Sequence, residues 1–190
     1  MKTTINCFLP YAEPAQVKAT VEGLKKSPLV TKIFLLATGE NYEAVEGCEV
    51  IKTDGLNTSE TMKKIAGAAD AEYILLYTKY NNLVMGYFAL DRFAKIAQDS
   101  KAGMLYADSY TVVDGKKTNS PVIDYQFGSL RDDFGFGSVL FFNAADFKKA
   151  AAGIDKEYKA AGLYDLRLRL SRIAPIVHIN EYLYSDITLD

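Results

Sequence analysis

Apolar and polar positions alternate along this chain in blocks of strand and helix length, and the block at 71–82, AEYILLYTKYNN, organises the others. Its centre, 73–77, is a continuous apolar run, too short for a helix and too uniform for a half-exposed strand. That is the pattern of a central parallel strand covered on both faces. The run breaks abruptly into Thr78, Lys79, Tyr80, Asn81 and Asn82. In open α/β sheets ligands sit beyond the carboxyl ends of the strands. The break therefore reads either as the floor of a binding site or as an ordinary polar strand-to-helix loop.

The remaining blocks fall around it. Residues 4–9 read as a first strand stopped by Pro10; Tyr11, Ala12 and Glu13 form a loop, and Pro14 suits the first position of a helix. Val17, Val21 and Leu24 recur at helical spacing up to Lys25 and Lys26, before Ser27-Pro28 stops the element. Residues 31–36 and 49–52 read as two further strands. Asn57, Thr58 and Ser59 supply caps for a helix with Met62, Ile65, Ala66 and Ala69 on one face. After the central strand, 83–99 reads as the longest helix, with Phe93, Ile96 and Ala97 inward, and 104–107 as a strand running into Asp108. Residues 111–113, Asp114-Gly115 and Lys116-Lys117 read as a hairpin, since Asp-Gly favours a type I′ turn. The stretch 122–137 has no period and reads as an ordered loop. A strand at 138–142 follows, then a helix capped by Asn143. Leu163, Leu166 and Leu170 mark one face of a last helix, interleaved with Arg167, Arg169 and Arg172, before a short strand at 176–179. This order predicts a three-layer α/β/α sandwich with a mostly parallel mixed sheet.

Composition narrows the function more than the fold. A length of 190 residues suits one domain over 1–190, and the final LYSDITLD, without a tapering tail, suits the N-terminal part of a longer protein. With 22 basic and 24 acidic residues, the net charge is −2, and no Lys/Arg block suggests nucleic acid or a polybasic membrane surface. The N-terminus is too polar for a signal peptide and no run approaches a membrane span, so a cytoplasmic location is expected. Cys7 and Cys48 make no metal or redox spacing.

The order of elements and motifs resembles a family 2 glycosyltransferase of GT-A fold, from about residue 4 to residue 184. The residues that carry the resemblance are Leu9-Pro10-Tyr11-Ala12-Glu13 after the first strand, Asn57 before a helix, and the strand ending at Tyr80 where the family places its DxD metal motif. They continue with Met104 to Tyr110, then Val113-Asp114-Gly115-Lys116, and with Ile154 to Tyr158 followed by Leu163 to Leu170 on the acceptor side. The chain departs from the family at three points. It has Ala37-Thr38-Gly39 where an Asp pair usually holds the base, Thr78-Lys79-Tyr80 at the DxD position, and Tyr164 for the Glu of the Glu-Asp pair.

The resemblance implies a donor site lined by Pro10, Tyr11, Glu13, Asn57, Lys79, Tyr80 and Asp108, with Asp165 as the base that deprotonates the acceptor hydroxyl. Arg131, Asp132 and Asp133 would lie on the acceptor side. No metal ligand set is expected: Lys79 would supply charge that a divalent ion normally gives, manganese or magnesium being the alternative. Each residue also has a plainer reading. Asp165 could merely complement a helix dipole, and Lys79 could be a surface lysine. His178 reads as a structural histidine on one face with Ile176, and the three arginines as a solvated face with internal ion pairs. Two functions follow. One is a glycosyltransferase moving a sugar from a nucleotide sugar to a hydroxyl acceptor, a glycan or lipid-linked glycan, in surface polysaccharide or lipopolysaccharide assembly at the inner face of the membrane. The other is a non-catalytic GT-A-like module binding a nucleotide sugar or a partner domain.

Overall fold

The computed structural model describes residues 3–39, 42–128, 131 and 133–188. Strand β1 (Ile5–Tyr11) leads through helix α1 (Pro14–Lys25) to β2 (Val30–Thr38), and β3 (Glu49–Thr53) leads through α2 (Ser59–Ala68) to β4 (Tyr73–Tyr77). Then follow β5 (Asn82–Met85), α3 (Ala89–Ser100), β6 (Met104–Val113), β7 (Lys116–Ser120) and β8 (Val139–Asn143). Helices α4 (Ala144–Ala152) and α5 (Gly162–Leu170) and strand β9 (Ile176–Ile187) complete the chain.

One sheet holds all of these strands in the order β3-β2-β1-β4-β8-β6-β9-β5, with β7 paired to β6. Strands β1, β2, β3 and β4 are mutually parallel, and β6 is parallel to β9. β8 runs antiparallel between β4 and β6, which makes those two parallel to each other. The carboxyl ends of β1, β2, β3 and β4 therefore share one edge of the sheet with the start of β8, and Ala107 of β6 reaches the same level.

Strands buried on both faces have two cores, sorted by the period of two along each strand. Cys7, Leu9, Leu75, Tyr77 and Phe141 point to the face covered by α1 and α3, where Phe93 inserts. Phe8, Ile74, Leu76, Tyr106 and Phe142 point to the face covered by α2, α4 and α5. The result is the α/β/α sandwich with a mostly parallel mixed sheet that the alternation predicts.

Four elements differ from the sequence expectation. β1 is not stopped by Pro10 but runs on to Tyr11 along β2, and the strands expected at 104–107 and 111–113 are one continuous β6. Residues 82–85 form β5, antiparallel to β9, and α3 begins only at Ala89, after Phe88 in a left-handed conformation with φ 55°. The final strand is not confined to 176–179: it runs on to Ile187 along β6, past a register shift around Asp108. The differences at β5 and β9 have one cause. An extended β9 leaves an edge that needs a partner, and 82–85 supplies it, so tertiary pairing overrides a helix-compatible pattern. The hairpin does form at Asp114-Gly115, whose φ values of 49° and 73° are those of a type I′ turn.

The stretch between α4 and α5 is laced to the start of α2. Thr58 caps α2 by accepting from the Thr61 amide, while the Ser59 amide donates to the Tyr158 carbonyl and the Gly162 amide to the Asn57 carbonyl. A Cβ on Gly162 would sit 2.3 Å from the Ser59 nitrogen and the Thr58 carbonyl carbon, both backbone atoms that cannot swing away. Gly162→Ala is therefore expected to destabilise the fold by about 2 kcal/mol, overpacking outweighing alanine's better helix propensity. Urea denaturation measures this; an unchanged midpoint would mean the two segments separate without cost.

Candidate functional site

The carboxyl edge is built from the strand ends upward. Phe8 of β1 pairs with Leu76 of β4, so Pro10 and Thr78, each two residues further on, stand side by side. Thr78 has left the sheet, whereas Pro10 and Tyr11, expected to end the strand and open a loop, stay in β1 paired with Leu36 and Ala37 of β2. Pro10 and Lys79 thus lie on one edge. Pro10 is buried, and the Tyr11 ring belongs to the core beneath, its hydroxyl accepting from the Glu43 amide at 3.0 Å. Glu13 is exposed at the N-cap of α1 without capping it; Gln16 instead accepts from the Ala12 amide at 3.3 Å. Asn57 is exposed just before α2, and Tyr80 is exposed just after β4.

Lys79 is not a free cation. Its Nζ lies 2.7 Å from Oδ2 of Asp186 on β9, and Asp186 is only 1% exposed. The same carboxylate accepts from the Tyr77 hydroxyl at 2.9 Å and from Ser138 Oγ at 2.7 and 2.8 Å. Burial next to this carboxylate pushes the Tyr77 hydroxyl far above its ordinary pKa, which holds it as a donor. Gly137, in the left-handed region at φ 73°, lets the chain pass close to Tyr184, whose hydroxyl accepts from the Ser138 amide at 2.9 Å. A three-donor carboxylate thus ties the ends of β4, β8 and β9 together beneath Lys79, whose side chain remains 47% exposed.

Asp108 faces a different neighbour. Buried at the β6 register shift, it accepts from the Val122 amide at 2.9 Å and lies 3.0 Å from His178 Nε2, while His178 Nδ1 lies 2.6 Å from Asp124. The imidazole stacks on Tyr106, ring centroids 4.9 Å apart. The Tyr106 hydroxyl donates to the Ile123 carbonyl and accepts from the Tyr125 amide, and burial raises its pKa to about 12. This group pins the loop that follows β7 to the face of the sheet, and its contacts are all with that loop rather than with Lys79.

Asp165 lies in the first turn of α5, near the same edge because Gly162 is bonded to Asn57. Its Oδ2 accepts from Arg169 Nε at 2.8 Å, and Arg169 also donates to Asp155 at 2.7 Å and to the Gly153 carbonyl. The other Asp165 oxygen accepts from no described residue, and the side chain is 16% exposed. Arg131 pairs with Asp133 at 3.1 Å in the exposed loop before β8, and Asp132 lies outside the described residues. The structure therefore brings Asn57 and the start of α5 together, and sets Lys79, Asp108 and Asp165 in three separate clusters.

This is a GT-A-like nucleotide-diphospho-sugar transferase fold. A structure of S. aureus TarS 1–349 in complex with UDP-GlcNAc superposes with a TM-score of 0.66 at 10% identity, over 99% of this chain and 59% of that one. A 4-diphosphocytidyl-2C-methyl-D-erythritol synthase superposes with a TM-score of 0.57 at 15% identity, over 94% of this chain and 90% of the other. The chain thus spans less than two thirds of the TarS fragment. No family profile matches the chain, and no curated protein matches its sequence.

GT-A folds commonly hold a divalent ion after the strand equivalent to β4, and the residues here do not fit one. Thr78 and Tyr80 offer neutral oxygens, Lys79 is a cation, and the nearest carboxylate, Asp186, is already saturated by three donors. Hard divalent ions need several oxygens, most of them anionic. Among the described residues no group of three or more His, Cys, Asp or Glu side chains is arranged to hold an ion. No helix of the described residues is long and apolar enough to cross a membrane.

The sequence pattern missed Asp186, 107 residues from Lys79, because the apparent end of β9 at Ile179 left it outside any element. It also misplaced one arginine. Arg169 makes the expected internal ion pairs, but Arg167 is not on a solvated face: it is half buried over the Phe136 ring, 5.0 Å from the centroid, with a sealed Nε that has no partner among the described residues. The signal was available, since Arg167 stands four residues after Leu163 and three before Leu170, on the inward stripe of α5.

Proposed function

We propose that this chain is a nucleotide-sugar-dependent glycosyltransferase that moves a sugar to a hydroxyl of a glycan or lipid-linked glycan, in surface polysaccharide or lipopolysaccharide assembly. The observation that carries the reading is Asp165, a carboxylate at the carboxyl edge of a GT-A-like sheet with one oxygen oriented by Arg169 and the other unbonded among the described residues. In this reading Glu13, Asn57, Tyr80 and the Lys79 ammonium frame the donor, above the sheet edge that the buried Pro10 and Tyr11 form. The free Asp165 oxygen takes the proton of the acceptor hydroxyl, the acceptor oxygen bonds to the anomeric carbon, and the carbon–oxygen bond to the diphosphate breaks, releasing a nucleoside diphosphate. No metal ion is assigned a part. Lys79 orients more than it neutralises, because Asp186 offsets its charge.

A second reading, a non-catalytic module that binds a nucleotide sugar or a partner domain, is favoured by that same Lys79–Asp186 pair, a neutral unit standing where the fold's metal carboxylates usually lie. Thermal unfolding with a panel of nucleotide sugars, with EDTA and with manganese, tests the shared part. A donor at a hundred times its dissociation constant stabilises the fold by about 2.7 kcal/mol, and the shift is expected to be equal in EDTA and in manganese. A shift that vanishes in EDTA and returns with manganese would overturn the metal-free site. Binding without release of nucleoside diphosphate on incubation with candidate acceptors would favour the module.

A further inference from the structure

Among the described residues, Arg167 is a half-buried charge out of keeping with the buried, partnered carboxylates Asp108 and Asp186. Helix α5 turns Leu163, Leu166 and Leu170 into the core beneath α2 and α4, and Arg167 occupies the next position of that same stripe. Its guanidinium lies over Phe136, its Nε is sealed from solvent, and it makes no hydrogen bond or ion pair with any described residue. Burial lowers its pKa from 12.5 to about 10, whereas carboxylate partners raise those of Arg92 and Arg169. A guanidinium carries five donors in a planar fork; an aromatic face satisfies none of them. Among the described residues nothing supplies a counter-charge to this half-buried group, which leaves its outer nitrogens for an anion.

Location narrows the anion. Side chains on a helix lean toward its N-terminus, which here lies at the carboxyl edge beside Asn57. Phe136 stands two residues before Ser138, whose hydroxyl donates to the Asp186 carboxylate beneath Lys79. Arg167 therefore borders the edge where the proposed donor sits, and its charge is not cancelled as that of Lys79 is. It leaves α5 on a different side from Asp165, two residues earlier, so it flanks the proposed base rather than touching it.

We propose that Arg167 is an anion-binding residue of this edge, taking phosphoryl oxygens of a substrate through the outer nitrogens of its guanidinium. This deepens the transferase reading and rests on it for the source of the phosphate, which is either the donor diphosphate or a phosphate carried by the acceptor. The planar fork matches two phosphoryl oxygens at once, which an ammonium does not.

The test measures calorimetric binding of inorganic pyrophosphate, UDP, GDP, ADP and glycerol 3-phosphate to the wild-type chain, Arg167→Met and Arg167→Lys. Met keeps the length and apolar stem. Removing an uncompensated buried charge should leave the melting temperature equal or higher, the opposite of what a purely structural cation–π role predicts. Binding of at least one probe should weaken roughly ten- to a hundred-fold in Arg167→Met and recover in part in Arg167→Lys. Selective loss of pyrophosphate and nucleoside diphosphate places the donor there; selective loss of glycerol 3-phosphate places an acceptor phosphate. A folded Arg167→Met that binds every probe as the wild type does, or a wild type that binds none, overturns the proposal. Should Arg167→Met not fold, the charge is structural and the proposal also falls, unless folded Arg167→Lys alone loses phosphate binding. A wild type that binds pyrophosphate through Arg167 but no nucleotide sugar removes the transferase reading and leaves the anion site standing. Nucleotide-sugar binding by the wild type, with every phosphate probe unaffected by Arg167→Met, does the reverse.

Discussion

Asp186→Ala is expected to cost the fold about 3–5 kcal/mol, the range for removing one partner of a buried ion pair. Asp186 is the common acceptor for Tyr77, Ser138 and Lys79, and it is the only one of the four that all the others touch. Without it the buried Tyr77 hydroxyl loses its acceptor, at a desolvation cost of about 1–3 kcal/mol, and the Ser138 hydroxyl keeps only the longer bond to the Tyr184 hydroxyl at 3.3 Å. Lys79→Met should cost clearly less. Its ammonium is partly in water, and the carboxylate it leaves behind keeps two hydroxyl donors. Urea unfolding of both variants and of the double variant measures the difference. If the two single variants were equally destabilised, the carboxylate would be held chiefly by Lys79 and the edge would be a simple ion pair. The functional consequence follows from the same geometry: the ends of β4, β8 and β9 that frame the donor site are fixed by this one side chain, so its loss loosens the site as well as the fold.

Asp165→Asn is expected to reduce sugar transfer by roughly a hundred- to ten-thousand-fold, the usual cost of removing a general base, while the melting temperature moves little. The amide keeps the shape of the carboxylate and still offers an oxygen to Arg169 Nε, so the contacts among α5, Asp155 and the Gly153 carbonyl persist. Only the oxygen that would accept the proton is lost. The measurement is release of nucleoside diphosphate and of glycosylated product under saturating donor. Transfer at the normal rate would show that Asp165 only orients Arg169. Asp108 would not then be the obvious substitute, because His178 and the Val122 amide already occupy it.

Much of the fold could be read from local pattern. The uniform run 73–77 is the fully buried β4, Asp114-Gly115 is the hairpin turn, and Thr58 and Asn143 cap their helices as side-chain chemistry predicts. These features rest on interactions within a few residues, or on a period that burial on two faces imposes, so one sequence carries them in full. What lay beyond local reading was which elements meet. Residues 82–85 carry no strand signal of their own and become β5 because the far end of β9 presents an unpaired edge. Lys79 looks like an isolated cation until β9, 107 residues on, delivers Asp186 beneath it. Asp108 reads as a crevice carboxylate until the same strand places His178 against it.

The two arginines of α5 mark that boundary most sharply. In the run Leu166-Arg167-Leu168-Arg169 the alternation looks like a polar face, but the helical period separates them, turning Arg169 toward Asp165 and Asp155 and Arg167 toward Phe136. Local pattern sufficed for most of the strands, the caps, the turn and the layered α/β class, because propensity and periodicity are properties of neighbouring residues; β5 and the second half of β9 came from pairing across the sheet. The tertiary structure alone decided which charges are cancelled and which is left uncancelled, because a charge's partner is set by how distant strands fall into register, and no local pattern encodes that register.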